Sequence, residues 1–263
     1  MSREHDVEKI AEALSAAAEA VRLFTPGAVE YEIKGPREDP VTAADHAVDA
    51  VLREFLPEPG EGWLSEETAD SPERLQCARV WVVDPVDGTR EFVQGIPEWC
   101  ISIGLVEEGV AVAGGIFNPA TGEIVLGAQG LGVTYNGAPA SVLETGLAGA
   151  RVLASRSETR RGEWERFADA PFTAIPCGSV AYKMGLVAAG RVEATFTVVP
   201  KSEWDVAAGT ALVRAAGGRV VHFDGSEPVF NQVVPRFPNL IAGGVGFVEE
   251  LSEVWVGNEH RRG

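Results

Sequence analysis

The segment RVWVVDPVDGT, residues 79–89, constrains the fold of this chain more than any other. Its first part is almost wholly apolar, so it predicts a buried strand that stops where Pro85 removes a backbone donor. Two carboxylates at the end of a buried strand, Asp84 and Asp87, destabilise the fold unless a cation compensates them. The segment therefore predicts a strand that ends in a cation-binding cleft, and the alternative is a solvated turn built by the Asp side chains.

The ligand types in this segment favour Mg²⁺. Carboxylates and backbone carbonyls are hard oxygen donors, and the Val86 carbonyl lies between Asp84 and Asp87. Gly88 lets the backbone approach a ligand closely. Thr89 is expected to cap a short helix whose free N–H groups hold a phosphate.

Three further acidic residues are candidates for the same cleft. Glu66 follows Leu64-Ser65, although glutamates after a loop are commonly surface charge or part of a first helical turn. Asp205 is well placed as a helix N-cap, a role that leaves its second oxygen available to a metal. Asp45 lies one turn into a predicted helix, where it either stabilises the helix dipole or orients Thr89 toward an attacking water.

Composition excludes several classes of partner. With 22 Lys and Arg against 39 Asp and Glu, the net charge is −17, which argues against a nucleic-acid polymer or an anionic membrane surface. A small anionic substrate remains compatible, because bound metal ions reverse the local field. Scattered cysteines and the lack of an apolar run of ~18 residues predict a cytoplasmic protein without a membrane helix. Histidines without zinc spacing and the lack of a GxSxG or P-loop motif disfavour other catalytic schemes.

The order of predicted elements indicates an α/β (α+β) fold with two subdomains. The first half is predicted to hold helices at 6–24 and 42–55, an irregular segment at 31–40, and strands at 79–84, 100–106, 110–117 and 123–127. The second half is predicted to alternate strands at 151–155, 192–198 and 219–223 with helices near 163–169, 179–189 and 205–216. The boundary falls near Gly146–Gly149, which gives subdomains 1–147 and 148–263.

Four ordered motifs resemble those of the inositol monophosphatase superfamily: PVTAAD (40–45), SEE (65–67), WVVDPVDGT (81–89) and EWDVAAG (203–209). The resemblance implies a layered αβαβα sugar-phosphatase fold with the active site between two subdomains. It also implies a lithium-sensitive phosphomonoesterase that uses two or three Mg²⁺ ions, for which Mn²⁺ can substitute. A homodimer is left open.

The resemblance also implies a role for each candidate residue. The implied metal ligands are Glu66, Asp84, the Val86 carbonyl, Asp87 and Asp205. Asp45 and Thr89, assisted by Glu66, are implied to activate a water for in-line attack. The amides of Gly88 and Thr89 are implied to hold the phosphate, and Lys34 is placed in a loop near the substrate.

Within the superfamily, the motifs DGTREF (87–92) and SRSE (155–158) and the helix that carries Lys183 resemble the CysQ-like 3′(2′),5′-bisphosphate nucleotidases. Inositol monophosphatases usually carry an acidic residue seven positions before the WD aspartate, where this chain has Val198, although GSVAY (178–182) is closer to them. Arg156, Lys183 and Lys201 are expected to contact a second phosphate. The expected substrate is therefore 3′-phosphoadenosine 5′-phosphate.

Several alternatives stay open from the sequence. Inositol 1-phosphate or a broad range of sugar phosphates is the alternative substrate class, and each of the three cations is otherwise ordinary surface or structural charge. A non-catalytic cation-binding regulator is the alternative of another class. The presence of Thr89 and Asp45 beside the carboxylates disfavours that alternative, because cation binding alone needs neither.

Overall fold

The structure is a computed structural model that describes residues 2–34 and 39–259. The helices in these residues are α1 (Arg3–Val21), α2 (Ala43–Phe55), α3 (Thr89–Gln94), α4 (Arg156–Arg160), α5 (Val180–Ala188), α6 (Glu203–Ala215) and α7 (Val245–Glu259). The strands are β1 (Tyr31–Lys34), β2 (Asp39–Thr42), β3 (Gly62–Ser65), β4 (Arg79–Asp87), β5 (Cys100–Glu107), β6 (Val110–Asn118), β7 (Glu123–Ala128), β8 (Gly132–Tyr135), β9 (Ala138–Ala140), β10 (Arg151–Ser155), β11 (Thr173–Cys177), β12 (Ala194–Thr197), β13 (Lys201–Ser202), β14 (Arg219–Val221), β15 (Arg236–Phe237) and β16 (Leu240–Gly243).

These elements stack in five layers, which confirms the αβαβα expectation. A seven-stranded sheet of order β3-β4-β5-β6-β7-β8-β9 has α1 and α2 on one face and α5 and α6 on the other. The same α5 and α6 pack on a five-stranded sheet of order β11-β10-β12-β16-β14, and α7 covers the opposite face of that sheet. The site described below lies at the N-terminal ends of α5 and α6, the helices of the middle layer.

Close backbone packing fixes α6 against the seven-stranded sheet. A Cβ at Gly114 would lie 2.6 Å from the Ala208 carbonyl oxygen, and one at Gly104 would lie 2.8 Å from the Ala207 Cβ. Because real Cβ atoms do not approach that closely, glycine on the strands and alanine on the helix are what allow this contact. The first turn of α6, and Asp205 within it, is held in place as a result.

The structure corrects several sequence expectations. Strand β4 does not stop at Pro85 but continues to Asp87 with a register shift after Asp84, because a β-bulge accommodates the proline without a ladder donor. The segment 31–40, expected to be irregular, contains β1 and the start of β2, which pair antiparallel and extend to Thr42; residues 35–38 lie outside the described residues. The helix expected at 163–169 is reduced to a 3₁₀ turn at Glu165–Phe167.

The two sheets come from successive parts of the chain, residues 62–140 and 151–243. Helix α6, however, comes from the later part and packs on both sheets, so the division into 1–147 and 148–263 stays a prediction. Among the helices that the structure describes, none is both long and apolar enough to cross a membrane.

Candidate active site

Three carboxylates from separate segments meet at the end of β4. One oxygen each from Glu66, Asp84 and Asp205 lies within 4.8 Å of the others. Glu66 follows β3 and continues its pairing with β4 by donating its N–H to the Val83 carbonyl at 3.3 Å. The group lines a cavity of about 650 Å³ whose walls come from both halves of the chain.

The electrostatics of this group favour a bound cation. Burial, reinforced by Glu66 and Asp87, raises the pKa of Asp84 well above its usual value. Burial and the nearby Asp87 and Glu66 raise the pKa of Asp205 to about 7, and burial raises that of Glu66. Buried carboxylates with raised pKa values become ionised when a cation compensates them, and an all-oxygen donor set fits Mg²⁺.

Asp87 lies beside this group and is anchored to α5. Its Oδ2 accepts hydrogen bonds from the Ser179 hydroxyl at 2.7 Å and from the Ala181 N–H at 2.5 Å. Burial raises the pKa of Asp87. The described geometry therefore gives Asp87 a structural role at the start of α5, which local sequence did not predict, and its role as a metal ligand stays a prediction.

Asp45 and Asp205 occupy equivalent positions on their helices. Both are the third residue of a helix, and each accepts the backbone N–H of its N-cap residue, Thr42 or Ser202, at 2.8 Å. The expectation that Asp205 is itself the N-cap is therefore wrong, because Ser202 takes that place. This pairing holds each carboxylate in one orientation.

Thr89 connects Asp45 to the bulge of β4. Its Oγ1 lies 3.0 Å from Asp45 Oδ1 and 2.9 Å from the Val86 carbonyl oxygen. Thr89 is the first residue of α3, whose N-cap is Gly88 at a φ of 97°, so the expectation that Thr89 caps this helix is wrong. A Cβ at Gly88 would lie 3.0 Å from the Glu98 carbonyl oxygen, which leaves little room for another residue.

Arg156, Lys183 and Lys201 all line the cavity, and each already has a partner. Arg156 donates to Glu98 at 2.7 Å. The buried Lys183 ammonium donates to the Ser179 carbonyl at 2.7 Å, and Lys201 pairs with Glu158 at 3.1 Å.

Lys34 lies beside the carboxylate group, whereas Val198 is not among the described residues that line the cavity. Lys34 is the last residue of β1, not part of a loop, and its ammonium pairs with Glu66 at 3.0 Å and with Glu67. Val198 packs against the apolar core between the five-stranded sheet and α7, and Val199 lines the cavity instead. Arg161 and Glu163, which the sequence did not single out, also line the cavity.

The sequence and the structure of this chain are similar to those of known proteins. The model of the inositol monophosphatase family matches residues 3–253. Inositol monophosphatase 1 of Solanum lycopersicum is 31% identical over 86% of this chain and 89% of its own length, and a histidinol-phosphatase of Mycobacterium tuberculosis is 34% identical over 84% and 89%. An inositol monophosphatase structure from Anabaena (Nostoc) superposes with a TM-score of 0.80 at 28% identity, covering 97% of this chain and 96% of that one. The chain belongs to the inositol monophosphatase family of metal-dependent phosphoric monoester hydrolases.

Proposed function

We propose that this protein is a Mg²⁺-dependent, lithium-sensitive phosphatase of small monophosphorylated alcohols. The observation that carries the proposal is the convergence of the Glu66, Asp84 and Asp205 oxygens within 4.8 Å in one cavity. These three would hold the metal, with the Val86 carbonyl and Asp87 as further ligands. When bound, Mg²⁺ supplies positive charge that stabilises the charge developing on the attacking and leaving oxygens.

Thr89 and Asp45 are proposed to position the attacking water. A hydroxyl has one proton, and in Thr89 that proton is directed at Asp45 or at the Val86 carbonyl. When the proton is directed at Asp45 Oδ1, the lone pairs of Thr89 Oγ1 are left to accept a proton from water while the Thr89 proton moves to Asp45 Oδ1. The other oxygen of Asp45 is held by the N–H and hydroxyl of Thr42.

The phosphate is proposed to bind at the amides of Gly88 and Thr89. The first N–H groups of a helix lack partners within the helix, and they point outward from its N-terminal end. Gly88 lines the cavity together with the three carboxylates, so a phosphate held there would lie next to the metal ligands.

The ion pairs of Arg156 and Lys201 disfavour a bisphosphorylated nucleotide as the substrate. A second phosphate would have to draw Arg156 from Glu98 or Lys201 from Glu158, at the cost of a charge-assisted pair. We therefore place inositol 1-phosphate first, as the name of the Solanum relative also suggests. The nucleotide remains the second candidate because three cations line the cavity.

The test is phosphate release from inositol 1-phosphate, histidinol phosphate, 3′-phosphoadenosine 5′-phosphate and adenosine 3′-monophosphate under the same Mg²⁺ concentration. We expect the highest kcat/KM on inositol 1-phosphate, and inhibition of that activity by Li⁺. A preference for the bisphosphate over both inositol 1-phosphate and adenosine 3′-monophosphate would establish the nucleotidase instead. The Arg156→Gln variant is the control, because it should lower kcat/KM only where a second phosphate is recognised.

A further inference from the structure

A second cavity, of about 510 Å³, lies at the opposite end of α6 from Asp205. Its walls are formed by the last turn of α6, the start of β14, the start of β6 and the turn between β7 and β8. Since α6 has 13 residues, its two ends are about 20 Å apart, so this cavity is separate from the carboxylate group. Its volume is in the range typical of small-molecule sites.

The charged side chains of the described wall are mostly positive, in a protein of net charge −17. Arg214 and Arg219 line the cavity together with Glu227. Arg214 pairs with Glu227 at 3.1 Å, but the carboxylate side chain is 69% exposed while the arginine is 23% exposed. Burial lowers the pKa of Arg214, and the nearby Glu227 opposes that shift only in part.

Arg219 is similarly available to a ligand. Its partner, Glu249 of α7, lies 3.2 Å away, is 57% exposed and does not line the cavity. Ion pairs with solvent-exposed carboxylates contribute little to stability, so an anion in the cavity can replace them readily. Guanidinium groups bind phosphates through paired hydrogen bonds, and each of the two glutamates pairs with only one of the arginines.

The remaining walls are apolar or backbone. Val110, Ala111, Ala211, Ala215 and Val220 face the cavity, while Gln129 offers an amide. The Leu212, Val213 and Arg214 carbonyls near the end of α6 already accept backbone N–H groups, for example Val213 from Gly218 at 2.9 Å, so these three do not need the ligand. Apolar walls together with two guanidinium groups suit a ligand that has a doubly charged anionic group attached to an apolar part.

We propose that this cavity is a second ligand site, distinct from the active site, that binds a small organic phosphate monoester. Its phosphate contacts Arg214 and Arg219, and its organic part lies against the valines and alanines. The site does not depend on the proposed catalytic function, because its residues and those of the active cavity are different.

The test is an NMR titration of the ¹⁵N-labelled full chain in chelator, with inorganic phosphate and phenyl phosphate as probes and NaCl at matched ionic strength as the reference. We expect saturable shifts of the Gly130 and Gly218 amides, and tighter binding of phenyl phosphate. Arg219→Gln should raise the apparent Kd for phenyl phosphate by about tenfold or more. Arg151→Gln, which removes an exposed arginine paired with Glu193 away from this cavity, should leave the Kd unchanged.

Three results would contradict a phosphate site in this cavity. Shifts no larger than those caused by NaCl, shifts only at active-site amides such as Gly88, or an unchanged Kd in Arg219→Gln would each overturn the proposal. Arg214→Gln should weaken binding as well. Arg214 is the more buried of the two arginines, so Arg214→Gln is the variant more prone to misfolding. The amide spectrum of each variant shows whether it is folded. If Arg214→Gln is not folded, the Kd of Arg219→Gln alone tests the proposal.

Discussion

Two substitutions of Thr89 separate the role of its hydroxyl from that of its methyl group. Thr89→Ala removes the oxygen that is proposed to accept the water proton, so kcat should fall ~10²-fold or more. Thr89→Ser keeps the hydroxyl between Asp45 and Val86 and should retain most of the rate. Calorimetric Mg²⁺ titration should give similar affinities for both variants. A normal rate in Thr89→Ala would leave Thr89 with only a structural role.

Asp87 is proposed to be a metal ligand and also accepts hydrogen bonds at the start of α5, and two substitutions separate these roles. Asp87→Asn keeps an oxygen that can accept from Ser179 and Ala181 but loses the charge, so the fold should persist while the rate falls ~10²-fold or more. Asp87→Ala leaves those donors unpaired and should in addition lower the free energy of unfolding by ~1–3 kcal/mol. Thermal denaturation and phosphate release measure the two effects, and normal turnover in Asp87→Asn would make the residue purely structural.

At the scale of the element, α6 depends on glycine in the sheet beneath it. Gly114→Ala would place a methyl group 2.6 Å from the Ala208 carbonyl oxygen, so the helix or the strand must shift. We expect a loss of ~1–3 kcal/mol in unfolding free energy and a lower kcat, because Asp205 moves with the helix.

The matched control for this helix shift is Gly185→Ala in α5. Its new methyl group would lie 3.3 Å from the end of the flexible Ile116 side chain, which can give way. Chemical denaturation should show a smaller loss than for Gly114→Ala, with activity retained. Equal losses in the two variants would contradict the assigned role of the Gly114 contact.

Periodic apolar patterns predicted the long elements well. The stripe in α1 and the apolar runs in β4, β5 and β6 are set by burial of the local chain, so their signal is contained in consecutive residues. The short elements depend on contacts with distant segments. Strands β1 and β2 form by pairing with each other, and β1 is mostly exposed, so its sequence carries no burial signal.

Asp84 and Asp87 could be predicted because burial of negative charge is visible in their local motif, whereas Glu66 and Asp205 are expected as metal ligands only from the family resemblance. The partners of the cations could not be predicted, because they are far away in the chain. Glu98 lies 58 residues from Arg156, and nothing in either local sequence indicates the pair. The substrate preference expected from unpaired cations is therefore not supported by the ion pairs of the structure, whereas the convergence of Glu66, Asp84 and Asp205 agrees with the expected metal ligands.

At the scale of the whole molecule, the five layers explain how separated motifs form one site. The bulged end of β4 and the first turns of α2, α3 and α6 bring Asp84, Asp45, Thr89 and Asp205 to the same region. Fold and site are therefore coupled, because elements of several layers must end at the same place for these residues to meet. Glu66, Asp84 and Asp205 lie so close together that we expect activity to require a divalent cation.

The most direct test of that dependence is phosphate release from inositol 1-phosphate by the full chain after exhaustive removal of divalent ions, followed by stepwise addition of Mg²⁺. Activity should be absent without the ion, return with added Mg²⁺, and return with Mn²⁺ as well, because the ligands are hard oxygens. Asp84→Asn, which removes one of the three converging carboxylates, should require a higher Mg²⁺ concentration or stay inactive. Full activity of the metal-free protein would contradict the account.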